Sequence, residues 1–168
     1  MKIDLIMLMF IMLLRMVVSC VILYASSMPI YVKIIALILV DALDGGFLHI
    51  WHHDLRWDRS LRDSKHYQIA DKIVDTIVAI MIYIYALDPY TRWTGALLLY
   101  RIVGVVLFIL FQNRTFLVIF PNFFRFAILW ITIQRSHPQL YKYGIFGFTI
   151  GSILTVVNEI NLHLMKIV

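Results

Sequence analysis

Apolar runs of about 20 residues, separated by short polar turns, make up most of the sequence. Runs of that length predict α-helices that span a bilayer. The predicted spans are roughly Leu5–Tyr24, Ile30–Leu48, Tyr67–Leu87, Trp93–Phe111, Phe116–Ile133 and Tyr143–Leu164. The predicted turns include Asp88–Tyr90, Gln112–Arg114 and Ser136–Pro138, and Pro121 is expected near the first turn of the fifth span or at a kink. The sequence therefore predicts an all-α integral membrane bundle of six transmembrane helices, with residues 1–168 forming a single domain.

The composition supports the same fold class. Hydrophobic residues make up 62% of the chain and the mean hydropathy is +0.86, whereas soluble domains are typically about 45–50% apolar. The formal charge of +5 is assigned to cytoplasmic loops and to arginines that meet lipid phosphates, so membrane lipids rather than nucleic acid are the expected partners. Cys20 is the only cysteine, which excludes an intrachain disulfide and a cysteine-based metal site.

Lysine and arginine are unevenly divided between the two sides of the predicted bundle. With the N-terminus inside, the inner side receives seven basic residues and the outer side four. The inner set is Lys2, Arg56, Arg59, Arg62, Lys65, Arg114 and Lys166, and the outer set is Lys33, Arg92, Arg135 and Lys142. Because cytoplasmic loops carry the excess of basic residues, both termini and the polar stretch His49–His66 are predicted to be cytoplasmic.

Four aspartates lie where the second predicted span ends and the third begins. Asp41 and Asp44 are three residues apart, and Asp71 and Asp75 are four apart, so each pair shares one helix face. The second span descends towards the cytoplasm and the third rises from it. Both pairs are therefore expected within about two helical turns, each of ~5.4 Å, of the same interface.

Carboxylates gathered at one depth repel one another unless a cation neutralises them. Their oxygen atoms suit Mg²⁺ or Mn²⁺, so the pattern predicts a divalent-metal site, while Gly45 and Gly46 would let an anionic ligand approach the backbone. Lys72 would neutralise part of this charge, but it points about 100° round the helix from Asp71, so it is expected to be a poor substitute for the metal. The alternative is that the aspartates are helix-end residues in headgroup water.

The motif Asp41-x-x-Asp44-Gly45, followed by Asp71-x-x-x-Asp75, resembles the signature of the CDP-alcohol phosphatidyltransferases. That signature reads D-x-x-D-G-x-x-A-R, a spacer, and G-x-x-x-D-x-x-x-D, and the family has six transmembrane helices. The resemblance implies transfer of a phosphatidyl group from CDP-diacylglycerol, or another CDP-alcohol, to an alcohol acceptor with release of CMP, in phospholipid synthesis on the cytoplasmic side. A homodimer is left open.

The resemblance also implies roles for individual residues. Asp41, Asp44 and Asp71 would bind Mg²⁺ or Mn²⁺, and Asp75 would be the catalytic base and contact the metal as well. Gly45 and His49 fall in the donor-binding part of the signature.

The chain departs from the signature at three positions and in the spacer, which is longer than usual. Leu48-His49 replaces Ala-Arg, and Tyr67 replaces the second glycine. Arg56, Arg59 and Arg62 are candidates to replace the missing arginine. Because these positions serve nucleotide binding in the family, a non-catalytic membrane subunit that has lost donor binding is the second hypothesis.

Three arginines lie inside predicted spans, where an arginine seldom faces lipid. Arg101 and Arg125 would hold the phosphate of a phosphorylated acceptor if both point inwards. The alternative is pairing with Glu159 or with backbone carbonyls. For Arg15, an aspartate is the available partner.

The sequence His49-Ile50-Trp51-His52-His53 matches the histidine box of membrane di-iron enzymes. Those enzymes have several such boxes, and here the remaining His66, His137 and His163 form no second box. Histidines of an interfacial loop, a ligand-side role in the transferase and a di-iron oxidase are the three interpretations.

Overall fold

The computed structural model describes the backbone of residues 2–25, 27–51, 65–89 and 91–161, and side chains at 9–24, 27–41, 65–89 and 91–161. Every regular element in these ranges is helical, which confirms the all-α class for the part described. The elements are α1 (Lys2–Cys20), a turn of π-helix (Val21–Ala25), α2 (Ile30–Trp51), α3 (Lys65–Tyr85), α4 (Thr94–Phe111), α5 (Thr115–Ile119), α6 (Phe123–Ser136), a 3₁₀ segment (Pro138–Tyr143) and α7 (Gly144–Ile160).

Among the residues that the structure describes, three segments are long and apolar enough to cross a membrane. They are Thr94–Phe111, Thr115–Ser136 and Pro138–Ile160, which correspond to the fourth, fifth and sixth predicted spans. A shorter apolar helix, Met9–Tyr24, lies within the first predicted span. The six-span bundle stays a prediction beyond these three segments.

The chain divides into two compact units, Met1–Val78 and Ala79–Val168. In the first unit, the buried residues of α1 with described side chains are Met12, Arg15 and Ser19, which recur every three or four positions. Leu23, in the turn of π-helix, continues this stripe. The helices α2 and α3 contribute buried apolar residues to the same unit, namely Ile34, Leu37, Val74 and Val78. Arg15 therefore belongs to the buried face of α1 rather than to an exposed one.

A second buried cation of this unit satisfies the polar backbone near the end of α1. Lys33 is 3% exposed, and its Nζ donates a hydrogen bond to the Leu23 carbonyl oxygen at 2.8 Å. Carbonyls in the last turn of a helix lack an intrahelical N–H donor. Lys33 supplies such a donor to the Leu23 carbonyl.

The second unit contains a helix break at Pro121, as the sequence predicted. A proline has no N–H, so Pro121 cannot donate to the carbonyl of Leu117 four residues earlier. Arg101 supplies the missing donor, since its Nη1 binds the Leu117 oxygen at 3.2 Å and the Phe120 oxygen at 2.7 Å. Its Nη2 lies 3.1 Å from Glu159 Oε1. Both side chains are buried, so loss of either partner is expected to cost roughly 3–5 kcal/mol.

The helices α6 and α7 form an antiparallel pair in which aromatic rings lie on glycines. A Cβ atom built on Gly151 would lie 1.8 Å from the Phe126 ring, and one built on Gly147 would lie 2.2 Å from the Trp130 ring. The Trp130 indole N–H also donates to the Gly144 carbonyl at 3.1 Å. Small residues four positions apart thus give α7 a groove that accepts two rings from α6.

Replacing a glycine of this groove tests the packing. We expect Gly151→Ala to lower the free energy of unfolding by about 1–3 kcal/mol, because the new methyl group overlaps the Phe126 ring. Gly144→Ala is the matched control on the same helix. Its Cβ would meet only the end of the Gln134 side chain, at 3.1 Å, and should be nearly neutral. Denaturant unfolding in bicelles gives both values, and equal losses for the two variants would contradict the groove.

Candidate metal centre

Three of the predicted metal ligands come together in the first unit. Asp41 follows Leu37 by one turn on α2, so it continues the buried face of that helix. Asp71 and Asp75 lie one turn apart on α3. Each of the three side chains is partly buried and offers one carboxylate oxygen, and these oxygens lie within 4.8 Å of one another. The spacing of the aspartates along the two helices thus translates into convergence in space.

The guanidinium group of Arg15 binds all three of these carboxylates. Its Nη1 donates to Asp71 Oδ1 at 2.8 Å, and its Nη2 donates to Asp41 Oδ1 and to Asp75 Oδ1. A planar guanidinium has five N–H donors in a fixed fork, which suits it to several carboxylates at once. The expectation that Arg15 pairs with an aspartate is confirmed. The sequence did not reveal that it serves three.

Lys72 is a second cation of the cluster, and the expectation that it neutralises part of the charge is confirmed. Its Nζ lies 2.9 Å from Asp71 Oδ2 and 3.4 Å from Asp75 Oδ2. The side chain leaves the helix in a different direction from Asp71, but its four-carbon stem is long enough to bring the ammonium group back over both carboxylates. The angle between positions on a helix therefore does not predict which charges a lysine can reach.

The negative and positive charges of these five side chains do not cancel. Three carboxylates face one guanidinium and one ammonium group, which leaves one net negative charge among these five. Arg15 is 5% exposed, so its contacts are screened little by water, and removing one partner would leave a poorly solvated charge. The cluster is held by strong charge-assisted hydrogen bonds, and its five described members together carry one negative charge in excess.

The donor set fits a hard divalent cation. Mg²⁺ and Mn²⁺ prefer oxygen ligands, and Mg²⁺ in particular is usually held by one or two carboxylates together with substrate phosphates and water. Asp41, Asp71 and Asp75 supply oxygen atoms only, and these lie within 4.8 Å of one another, close to the ~4.2 Å between opposite ligands of one Mg²⁺ ion. The carboxylates that hold the guanidinium are thus chemically suited to hold a metal.

Several predicted site residues fall where the side chains are not described. Asp44, Gly45 and His49 continue α2 through Trp51, so Asp44 follows Asp41 by three helical positions. Their side-chain roles stay predictions. Arg56, Arg59 and Arg62, and His52 and His53 of the histidine box, lie outside the described residues.

Arg101 and Arg125, the two arginines predicted to bind a phosphate, lie in the second unit. The alternative reading of Arg101 is confirmed, since it pairs with Glu159 and with the Leu117 and Phe120 carbonyls. Arg125 on α6 is half-buried and has polar or charged contacts of its own. The phosphate-binding role of the two arginines stays a prediction, and for Arg101 it would require giving up contacts that hold the α5–α6 break.

Comparison with known proteins identifies no relative from which a function could be assigned. No protein-family model, no curated protein and no solved structure matches the chain. The family resemblance of the aspartate motif therefore rests on residues 41–75 alone.

Proposed function

We propose that this chain is a membrane-embedded, metal-dependent phosphatidyltransferase that moves a phosphatidyl group from a CDP-alcohol such as CDP-diacylglycerol to an alcohol acceptor. The single observation that carries the proposal is the convergence of Asp41, Asp71 and Asp75, whose carboxylate oxygens lie within 4.8 Å of one another. Convergence of carboxylates from separate helices is costly in an apolar environment. A cluster of this kind, built from residues in the interior of two helices, therefore favours a site over an incidental arrangement.

Each carboxylate has a part in the proposed reaction. Asp41 and Asp71, with Asp44 one helical turn along α2, would bind Mg²⁺ or Mn²⁺. Asp75 would accept the proton of the acceptor hydroxyl group. The acceptor oxygen would form a bond to the phosphorus of the phosphatidyl group while the bond from that phosphorus to the CMP oxygen breaks, and CMP would leave with the bonding electrons.

A divalent cation in this cluster would neutralise charge on the donor diphosphate and on the departing CMP. The protein residues would position the reactants and exclude water around them. Because Arg101 is engaged by Glu159 and two carbonyls, the proposed acceptor is an alcohol that need not carry a phosphate.

The proposed location is a membrane crossed several times, with the site on the cytoplasmic side. Three helices with the length and composition of membrane spans support a membrane location. The excess of lysine and arginine between α2 and α3 supports the orientation, since the aspartates flank that connection.

A non-catalytic membrane subunit is the second candidate. Arg15 and Lys72 together pair with every described carboxylate of the cluster, so the aspartates would also serve a purely structural role as partners of a buried arginine. Metal-dependent release of CMP distinguishes the two candidates, because only the transferase performs it.

Neutralising one aspartate at a time tests the proposed roles. We expect Asp75→Asn to lower Mn²⁺-dependent CMP release by about 100-fold or more, the lower range for loss of a general base. It should spare Mn²⁺ binding more than Asp41→Asn or Asp71→Asn does. The fold should survive each change, since each removes one charge from a cluster with one negative charge in excess.

Asp88→Asn is the matched control for these variants. Asp88 is an ion-paired aspartate of the other unit, bound to Arg135, and its neutralisation should leave CMP release unchanged. Wild-type protein that binds Mn²⁺ without releasing CMP from CDP-diacylglycerol and any of a panel of alcohols would instead support the non-catalytic subunit.

Cysteine labelling tests the orientation. In a Cys20→Ser background, which removes the exposed native thiol, Ser60→Cys should react with a membrane-impermeant maleimide only after the membrane is permeabilised. Gln139→Cys, on the predicted outer side and exposed on the 3₁₀ segment, should react in intact cells. The opposite pattern would refute the predicted topology.

A further inference from the structure

The guanidinium of Arg15 and a divalent cation would compete for the same three carboxylates. Arg15 donates to Oδ1 of Asp41, of Asp71 and of Asp75, and these three residues are the ones that offer converging oxygens for a metal. A divalent ion bound by all three carboxylates would lie close to the guanidinium and be repelled by it, so the two cations bind in place of each other.

We propose that Arg15 is a tethered counter-cation, which holds the three carboxylates together in the metal-free protein and is displaced when a divalent cation binds. This inference rests on the metal site of the proposed function. It adds a residue on α1, outside the aspartate motif, that regulates metal binding.

The charge of the cluster explains why a divalent cation is needed for the exchange. The three carboxylates carry one more negative charge than Arg15 and Lys72 neutralise. A monovalent ion brings the carboxylates no more charge than the guanidinium that it would replace, and it brings no pre-set fork of donors. A divalent ion offers twice the charge in a smaller volume. The tethered guanidinium therefore prevents Na⁺ and K⁺ from binding to the carboxylates, but Mg²⁺ or Mn²⁺ displaces it.

The exchange also sets the apparent affinity for metal. Only the fraction of molecules in which the guanidinium has left the carboxylates can bind the ion, so the apparent dissociation constant equals the intrinsic one divided by that fraction. In the absence of metal the same contacts keep the carboxylates from repelling one another, because a buried charge that loses its partner is strongly destabilising. Arg15 thus lowers metal affinity and raises metal-free stability together.

Two substitutions at Arg15 test this trade. Arg15→Met removes the competing charge and keeps an unbranched apolar side chain, while Arg15→Lys keeps the charge but cannot bridge three carboxylates with one fork. For full-length protein in detergent, we expect the Mn²⁺ Kd of each variant, measured by electron paramagnetic resonance of free Mn²⁺, to fall about tenfold or more. We also expect a lower metal-free Tm and a larger rise in Tm on adding Mn²⁺ than in wild type.

Lys33→Met is the matched control. Lys33 is a buried cation of the same unit that donates a hydrogen bond to the Leu23 carbonyl. It precedes Asp41 by eight positions, about 12 Å along α2. Its removal should lower the Tm and leave the Mn²⁺ Kd unchanged. If Arg15→Met does not fold without metal, purification in Mn²⁺ and the Arg15→Lys variant still give the two affinities.

The outcomes separate this inference from the proposed function. A lower Mn²⁺ Kd in the Arg15 variants, with no CMP release by wild type, supports the counter-cation and contradicts the transferase. CMP release by wild type with an unchanged Kd in the Arg15 variants overturns the counter-cation and leaves the transferase. If neither wild type nor the variants bind Mn²⁺, the counter-cation is overturned together with the metal site.

Discussion

The buried charge of Arg15 constrains the first unit more than any other side chain. A guanidinium on the buried stripe of α1 cannot be left without partners in an apolar surrounding. The structure meets that requirement by bringing Asp41 from α2 and Asp71 and Asp75 from α3 to the same point. One residue of α1 thereby links carboxylates from two other helices at one point. Lys72 adds a second positive charge over the α3 pair.

The two buried arginines show that the same residue type can serve different ends. Arg101 is held by Glu159 and by two carbonyls, one of which lost its helical donor to Pro121. Two of those partners are backbone carbonyls and one is a single carboxylate. The partners of Arg15 are three converging carboxylates, a set that also suits hard cations. The first arrangement stabilises a helix break, and the second leaves open an exchange of one cation for another.

Much of the fold followed from simple patterns, for identifiable reasons. Apolar runs located the helices because a helix in an apolar environment satisfies all of its own backbone hydrogen bonds. Asp88-Pro89 and Ser136-His137-Pro138 correctly predicted the positions of turns between helices. Proline has no N–H to donate to the preceding turn, and its ring clashes with the carbonyl four residues earlier. The groove over Gly147 and Gly151 was not anticipated, although two small residues four positions apart were visible in the sequence. Their significance depends on Phe126 and Trp130, which lie on another helix.

The sequence by itself determined that the chain is helical and apolar, and that Asp41, Asp71 and Asp75 lie at helix positions able to face one another. Spacing along a helix is a local property, so 3.6-residue periodicity suffices to place side chains on faces. Which cation those carboxylates meet was decided only by the tertiary structure. Arg15 is 26 residues from Asp41 and 60 from Asp75 along the chain, and such contacts depend on the packing of three helices. The reach of Lys72 was decided in the same way, since a long flexible side chain follows the charges around it rather than the angle at which it leaves its helix.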